Sequence, residues 1–365
     1  MGDRSGRSGA RWLAAHTGVT LATSLEFARG DILLSDQQLP YAAEHGLLPL
    51  RQRIALMLAE RSINVDPTQV LLTQGANDAL DMIVRHFIEP GDPVLVDSPG
   101  YYPLFGKLRL AKAKLIGVRR NADGPDPDSL SHLAATTGAK LFFTQSLAHN
   151  PTGCSITLPV AYRLMQVATQ HRLRIVDTDP FADILPASSP RLAALDQLDR
   201  VIYVGTFAKT LSASLRSGYI AADADTIGAL ADLKMITRAN SSGYVEQVIY
   251  DLITSGRYRG HLKRLGGRIE VATAAAHHSL AKLGLPVFGH PGGGFYMWCE
   301  LPPHIDDKQL SKIAAAQSIL LAPGFAFNPE ATPKPPAMRV NIAYAGDARF
   351  ARFMRENDAT FSRPK

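Results

Sequence analysis

Lys209 stands in the run Val204-Gly205-Thr206-Phe207-Ala208-Lys209-Thr210-Leu211-Ser212-Ala213-Ser214-Leu215-Arg216-Ser217-Gly218, an amine among hydroxyls with an arginine seven positions later. A lysine amine forms a Schiff base with a carbonyl compound once its surroundings keep part of it deprotonated, and an arginine fork with nearby hydroxyls takes phosphate oxygens. Together they describe a holder for a phosphorylated aldehyde, with Thr206, the serines and Arg216 on the phosphate. From these residues alone a surface Lys and Arg pair beside a polar turn is an equally good reading, because short motifs of this composition arise by chance.

Two upstream segments bear on the choice. In His149-Asn150-Pro151-Thr152-Gly153 the Asn150 amide can donate to a ring hydroxyl, while Pro151 and Gly153 set a sharp turn after a strand. In Val70-Leu71-Leu72-Thr73-Gln74-Gly75-Ala76-Asn77-Asp78-Ala79-Leu80 an apolar run meets a glycine and a helix start, so the backbone N–H groups of Gly75, Ala76 and Asn77 can cradle phosphate. Each alone is an ordinary turn.

Taken together, these segments resemble fold-type I enzymes of pyridoxal 5'-phosphate (PLP) in the class I/II aminotransferase family. The resemblance is to the aminotransferase-like half of MocR-type GntR regulators and to kynurenine/α-aminoadipate aminotransferases. It runs in consistent order through Tyr41 with Gly46 and Leu50-Arg51, Gly75-Ala76-Asn77, Pro99-Gly100-Tyr101, Asn150-Pro151-Thr152-Gly153 and Asp177-Thr178-Asp179-Pro180-Phe181. It continues through Thr206-Phe207-Ala208-Lys209, Arg216, Gly292-Gly293-Gly294-Phe295 and Arg339.

The resemblance implies a role for each residue. Lys209 carries PLP as a Schiff base and then moves the substrate's α-proton; Tyr101 stacks on the pyridine ring, with Tyr102 as an adjacent competitor. Gly75, Ala76, Asn77, Thr206 and Arg216 hold the phosphate, and Asn150 and Phe181 border the ring. Arg339 forks onto the substrate carboxylate beside Asn150, against the plain alternative of a charge at a strand edge. Tyr41 reaches across to the phosphate of a second subunit, which implies a homodimer with shared active sites. One position departs from the family pattern. The family carries Asp three residues before an aromatic, where it pairs with the pyridine nitrogen, and counting back from Phe181 lands on Thr178. Asp177 and Asp179 flank it, and neighbours in a strand point to opposite faces. Because Pro180 ends the strand and regularity there is not assured, Asp179 is the expected partner of the ring nitrogen, with Thr178 lining the same site.

The elements that must position these residues alternate. Apolar strand runs at Gln69 to Thr73, Pro93 to Asp97, Lys140 to Thr144, Arg174 to Asp177, Arg200 to Val204 and Ser217 to Ala221 are interleaved with helical patterns through Asp81 to Phe87 and Val160 to His171. Such alternation predicts an α/β fold around a mostly parallel sheet, with sites gathered at the carboxyl ends of strands. A helical pattern runs from Tyr244 through about Leu283. Beyond it Gly292 to Pro302, Ile319 to Leu321 and Ala337 to Ala343 read as a second, smaller sheet of an α+β domain. The expected division is residues 1–40 packing with the small domain, 41–255 as the large PLP-binding domain and 256–365 as the small one.

A chain of 365 residues, 46% of them hydrophobic, exceeds the usual size of a single core. Its two cysteines, Cys154 and Cys299, make neither a disulfide framework nor a zinc cluster, so no metal is expected and a reducing cytoplasm is the natural compartment. The basic start, Met1 to Gly9, reads as unstructured and is followed by no apolar run long enough to span a bilayer. Net charge is +6, but 39 basic and 33 acidic residues are interspersed. The densest basic patch, Arg257 to Arg268, reads as a solvated helix face rather than a phosphate-contacting one. The residues before Tyr41 show no recognition-helix pattern, so this chain alone is not expected to bind nucleic acid. Three functions stay open: an aminotransferase acting on an amino acid and a 2-oxo acid, a PLP-binding sensor half of a regulator, and a lyase or decarboxylase on the same fold.

Overall fold

The structure is a computed structural model and describes residues 44–330 and 335–357. The segment 1–40 and Tyr41 therefore lie outside the described residues. Helix α1 (Leu48–Ala59) leads through a short turn to β1 (Val70–Thr73), α2 (Ala76–Phe87), β2 (Pro93–Ser98), α3 (Tyr102–Leu110), β3 (Lys114–Asn121) and β4 (Gly124–Pro125). The alternation goes on with α4 (Pro127–Thr137), β5 (Leu141–Thr144), α5 (Leu158–His171), β6 (Arg174–Asp179), α6 (Leu192–Asp196), β7 (Val201–Thr206) and β8 (Gly218–Ala221). Three helices follow, α7 (Ala224–Arg238), α8 (Gly243–Thr254) and α9 (Arg257–Lys282). The chain then forms β9 (Tyr296–Glu300), α10 (Asp307–Ala316), β10 (Ala322–Pro323), β11 (Ala337–Asn341) and α11 (Ala348–Glu356).

Eight strands form one sheet in the order β1-β8-β7-β6-β5-β2-β3-β4. The pairs β3/β2, β2/β5, β5/β6 and β6/β7 are parallel, whereas β8 runs antiparallel to both β7 and β1. Parallel strands covered by helices on both faces must be apolar on both, and β1, β5, β7 and β8 are buried along their whole length. One face packs Leu95, Phe142, Ile175 and Tyr203 against α1 and α5; the other packs Val96, Phe143, Val176 and Ile202 against α2, α3 and α7. The second sheet, β10-β11-β9, is antiparallel and packs with α9, α10 and α11 around a core of its own.

Two expectations change. The pattern from Tyr244 to Leu283 is two helices, because Gly256 takes φ +74 between them and starts α9 with a left-handed turn. In the small sheet the strand is Ala322–Pro323 rather than Ile319 to Leu321, and Leu320 is 96% exposed just before it. The basic stretch from Arg257 lies on α9, where Tyr258, Leu265 and Ile269 are buried and Arg259, Lys263 and Arg264 face solvent. It is an amphipathic helix face.

Candidate functional site

Four loops and a strand end converge at the carboxyl edge of the large sheet. Gly218, the first residue of β8, pairs with Thr73 on one side and Thr206 on the other, so the chain leaving β1 toward Gly75 and the chain leaving β7 toward Lys209 emerge side by side. Arg216 enters β8 from the same place. Its Nη2 donates to the Gln74 carbonyl at 3.1 Å, and the guanidinium lies across Gly75, where a Cβ would come within 3.2 Å of Nη2. Gly75 has φ +87 and opens α2, leaving the N–H groups of the first helical turn pointing at the same spot. A Cβ on Gly218 would approach the Ala76 nitrogen to 3.0 Å, so two glycines keep this cradle open. The donors present, a helix N-terminus and an exposed guanidinium, suit a phosphate.

The Lys209 loop is braced from both sides. The Thr206 hydroxyl donates to the Ser217 carbonyl at 3.1 Å and accepts from the Ala208 N–H at 3.2 Å. Next to Lys209, the Thr210 hydroxyl is 2.7 Å from the Tyr258 hydroxyl, and the Thr210 carbonyl is 2.8 Å from His261 Nε2. Tyr258 also donates to Asp183, which pairs with Arg61 at 2.5 Å. Helix α9 thereby holds the half-buried Lys209 at the end of β7, a support that the sequence pattern around Lys209 did not reveal.

Tyr101, the N-cap residue of α3, turns inward and donates to Asn77 Oδ1 at 3.2 Å, whereas Tyr102 is 48% exposed and meets Phe327 edge-on. Of the two neighbours, Tyr101 faces the site. Asn150 follows β5, and its Oδ1 accepts from Arg339 Nη1 at 2.9 Å. Arg339, on β11 of the small sheet, is sandwiched between Tyr296, 4.2 Å from its ring centroid, and Phe327 at 5.1 Å. That stacking fixes the plane of the fork. Phe181 is fully buried and packs edge-on to Phe295 at 5.0 Å, so it joins the two sheets through apolar contact.

The expectation for Asp179 is overturned. Strand β6 stays regular through Asp179, so alternation holds: Thr178 shares a face with Val176 and lines a small pocket with Tyr101, His149 and Leu80, while Asp177 and Asp179 project to the other side. Asp179 Oδ2 accepts from Arg191 Nε at 2.8 Å and from the Tyr203 hydroxyl at 3.0 Å, all three side chains being buried. Asp177 accepts from the N–H and hydroxyl of Ser146 at 2.9 and 2.6 Å. Thr178 Oγ1 makes only a long 3.4 Å contact to the Thr144 carbonyl.

Burial pushes the Asp177 carboxyl up to about 7 despite its two donors, with Asp179 and Asp97 adding to the rise. The native state thus holds a proton that the unfolded chain has released, and this group's contribution to stability falls as pH rises from about 4 to 7. Buried His149, pushed down to about 4, contributes in the opposite sense over the same range. Subtracting the urea stability profile of Asp177→Asn from that of wild type should therefore leave a difference that declines with rising pH. A flat difference would show that Asp177 is ionised throughout.

Residues not assigned from sequence complete the wall. Asp97 Oδ2 accepts from Arg120 Nη1 at 3.0 Å and from the Thr144 hydroxyl at 2.8 Å, and lies 3.4 Å from His149 Nε2; all are buried. Arg120 also donates to the Gln145 carbonyl at 3.0 Å, fixing the start of the loop that ends in Asn150. Their signal was faint: Asp97 just precedes Ser98-Pro99-Gly100-Tyr101, and Arg120 reads as one half of an ordinary charged pair. Among the described residues no group of three His, Cys, Asp or Glu could hold a metal ion, and no helix is long and apolar enough to cross a membrane.

Comparison with known proteins bears on the family and the fold. Residues 22–355 match the family model for aminotransferase class I and II. The chain is 29% identical over 311 residues to the uncharacterized HTH-type transcriptional regulator YdfD of Bacillus subtilis, covering 84% of this chain and 64% of the regulator, so it spans less than two thirds of that protein's length. It is 28% identical over 298 residues to the 2-aminoadipate transaminase of Thermus thermophilus, covering 79% of this chain and 73% of that one. The crystal structure of LysN, the α-aminoadipate aminotransferase of Thermus thermophilus complexed with N-(5'-phosphopyridoxyl)-L-leucine, superposes with a TM-score of 0.81 at 24% identity, covering 96% of this chain and 89% of that one. The fold is therefore that of fold-type I PLP enzymes. With the family model spanning both sheets and the loops that carry Lys209, Arg216 and Arg339, the chain belongs to the class I and II aminotransferase family.

Proposed function

We propose that the protein is a PLP-dependent aminotransferase that moves an amino group between an amino acid and a 2-oxo acid. The observation that carries the reading is Arg339: a guanidinium delivered from the small sheet meets Asn150 at the same sheet edge that bears Lys209 and the Gly75–Arg216 cradle. The cradle suits the cofactor's phosphate, and Lys209 is the amine for its aldehyde. When bound, PLP supplies the electron sink that makes an α-hydrogen acidic. The chain's own residues do the rest. Gly75, Ala76, Asn77, Thr206 and Arg216 hold the phosphate, and Tyr101 covers one face of the ring. Asn150, which accepts from Arg339, would donate its amide to the ring's hydroxyl, and the stacked Arg339 fork would orient the substrate carboxylate. Lys209, once freed by the incoming amine, takes the α-proton and returns it elsewhere. Phe181 shapes the pocket from behind.

Tyr41, outside the described residues, is assigned to the phosphate of a second subunit, which makes the enzyme a homodimer. Apolar side chains on the surface of this subunit, Leu56 at 58% and Ile236 at 84% exposure, are suited to burial against a copy. The two buried free cysteines belong in a reducing compartment, and the cytoplasm is the proposed location.

A second reading, the effector half of a regulator, is favoured by the match to YdfD, of which this chain covers 64%. One experiment separates them. Purified protein with PLP should bind amino acids from a broad panel and convert the cofactor to its pyridoxamine form, seen by absorbance. Arg339→Gln should weaken amino-acid binding by about 2 to 5 kcal/mol, the scale for truncating one partner of a buried charge pair, with PLP affinity unchanged. Binding without conversion across the whole panel would favour the sensor. Equal loss of PLP affinity would remove Arg339 from the carboxylate.

A further inference from the structure

We infer that the ring nitrogen of the cofactor meets the Thr178 hydroxyl and stays unprotonated in this protein, an inference that rests on the PLP reading above. The ring's other ends are spoken for: phosphate at Gly75 and Arg216, aldehyde at Lys209, ring hydroxyl at Asn150, one face on Tyr101. What remains is the wall beneath Tyr101, and there β6 offers Thr178 alone. Its hydroxyl is half-buried and donates only at a long 3.4 Å to the Thr144 carbonyl, so turning its proton to a ring nitrogen gives up little.

The charges around this wall decide the protonation state. On β6 itself, Asp177 and Asp179 face the other side of the sheet, the first engaged by Ser146 and the second by Arg191. From β2, Asp97 is compensated by Arg120 of β3 at 3.0 Å, so the pair brings no net charge. From the loop after β5, His149 is neutral at physiological pH, pushed down to about 4 by burial and Arg120. From the N-cap of α3, Tyr101 is an uncharged phenol whose ionisation burial makes harder. A protonated ring would be a buried cation without a counter-charge, the arrangement proteins avoid most strongly, whereas a hydroxyl that donates to the nitrogen stabilises its neutral form. Asp97 Oδ1 and Asp179 Oδ1 are both buried with no hydrogen-bond partner, and of the two residues only Asp97 borders the pocket, which makes Asp97 the competing carboxylate. It sits on β2, two strands away from β6 across β5, a lateral distance of roughly 10 Å. It borders the same pocket as Thr178, but its register partners through β5 are Thr144 and Asp177, so the pleat turns its side chain toward the face opposite Thr178, where Arg120 and the Thr144 hydroxyl hold it.

An unprotonated ring draws electrons from the α-carbon less strongly, so α-proton removal is the step this site leaves slow. Each unit by which a carboxylate at position 178 raises the ring's pKa populates the protonated form about tenfold more.

The test loads the protein with PLP labelled with 15N in the ring and reads that nitrogen by NMR at pH 7. Wild type and Thr178→Ser should show the far-downfield resonance of a bare pyridine nitrogen, and Thr178→Asp the upfield resonance of a protonated one, with pyridoxamine formation quickened about tenfold or more in single turnovers. An upfield resonance in wild type overturns the inference, whether or not Thr178→Asp folds, and its return downfield in Asp97→Asn would place Asp97 at the ring. If wild type takes up no PLP and borohydride traps none on Lys209, the cofactor reading falls, and this inference with it.

Discussion

Replacing Lys209 by Ala is expected to abolish covalent attachment of PLP altogether. Borohydride reduction of the wild-type protein with PLP should add the reduced cofactor to the peptide that holds Lys209, and the visible band of the bound cofactor should vanish in Lys209→Ala. The expectation rests on how other lysines are used. Lys107 faces Asp81 at 3.5 Å, and Lys234 is buried with its ammonium on the Glu44 carbonyl at 2.9 Å. Lys112 follows α3 in a left-handed turn at φ 60, far along the chain from the cradle. Lys209 alone follows β7 into the edge where Arg216 lies across Gly75. The fold should survive, because the loop is held by Thr206 and Thr210 and not by the lysine. Label recovered on Lys107 or Lys112 would show that the aldehyde site lies elsewhere.

Asp179→Asn should destabilise the protein by about 3 to 5 kcal/mol, the cost of leaving one member of a buried ion pair without its partner. Arg191 is fully buried; it gives Nε to Asp179 and its remaining N–H groups to the carbonyls of Ala182, Pro186, Ala187 and Ser189. It organises the loop after β6, and the Asp179 carboxylate neutralises it. Urea unfolding should show the loss as a lower midpoint, while borohydride trapping of PLP on Lys209 in the folded fraction stays as in wild type. A variant as stable as wild type but unable to convert PLP to pyridoxamine would put Asp179 in the chemistry instead.

Much of the site was legible in the chain because its parts are local. A lysine three residues beyond a strand end, an arginine seven later, a glycine between strand and helix and an asparagine before Pro-Thr-Gly each occupy one loop, and alternation of strands and helices brings such loops to one sheet edge. Strands β1, β2, β5, β6, β7 and β8 were visible as apolar runs for the same reason. Strand β3 was not: Lys114-Leu115-Ile116-Gly117-Val118-Arg119-Arg120-Asn121 carries three basic residues and a glycine. Its pairing with β2 is paid for by contacts distant in sequence. Gly117 admits Ser98 and Pro329, whose atoms would stand 2.9 and 3.0 Å from a Cβ, and Arg120 is buried because Asp97 waits on the neighbouring strand.

Position 178 marks the boundary between the two kinds of knowledge. The order Asp177-Thr178-Asp179-Pro180 permits either a regular strand end or a bulge that swings a carboxylate around, and local preference does not choose between them. Tertiary structure chose: Arg191, twelve residues on, and Tyr203, on the next strand, bind Asp179 on the face away from Tyr101, and Ser146 does the same for Asp177. Those partners make regular alternation the lower-energy path and leave a hydroxyl, not a carboxylate, facing the site. The sequence by itself determined the family and singled out the candidate lysine and phosphate cradle, because these depend on residue order along single loops. Only the packed structure decided which side of β6 each residue serves, because a strand's two faces are told apart by what lies against them.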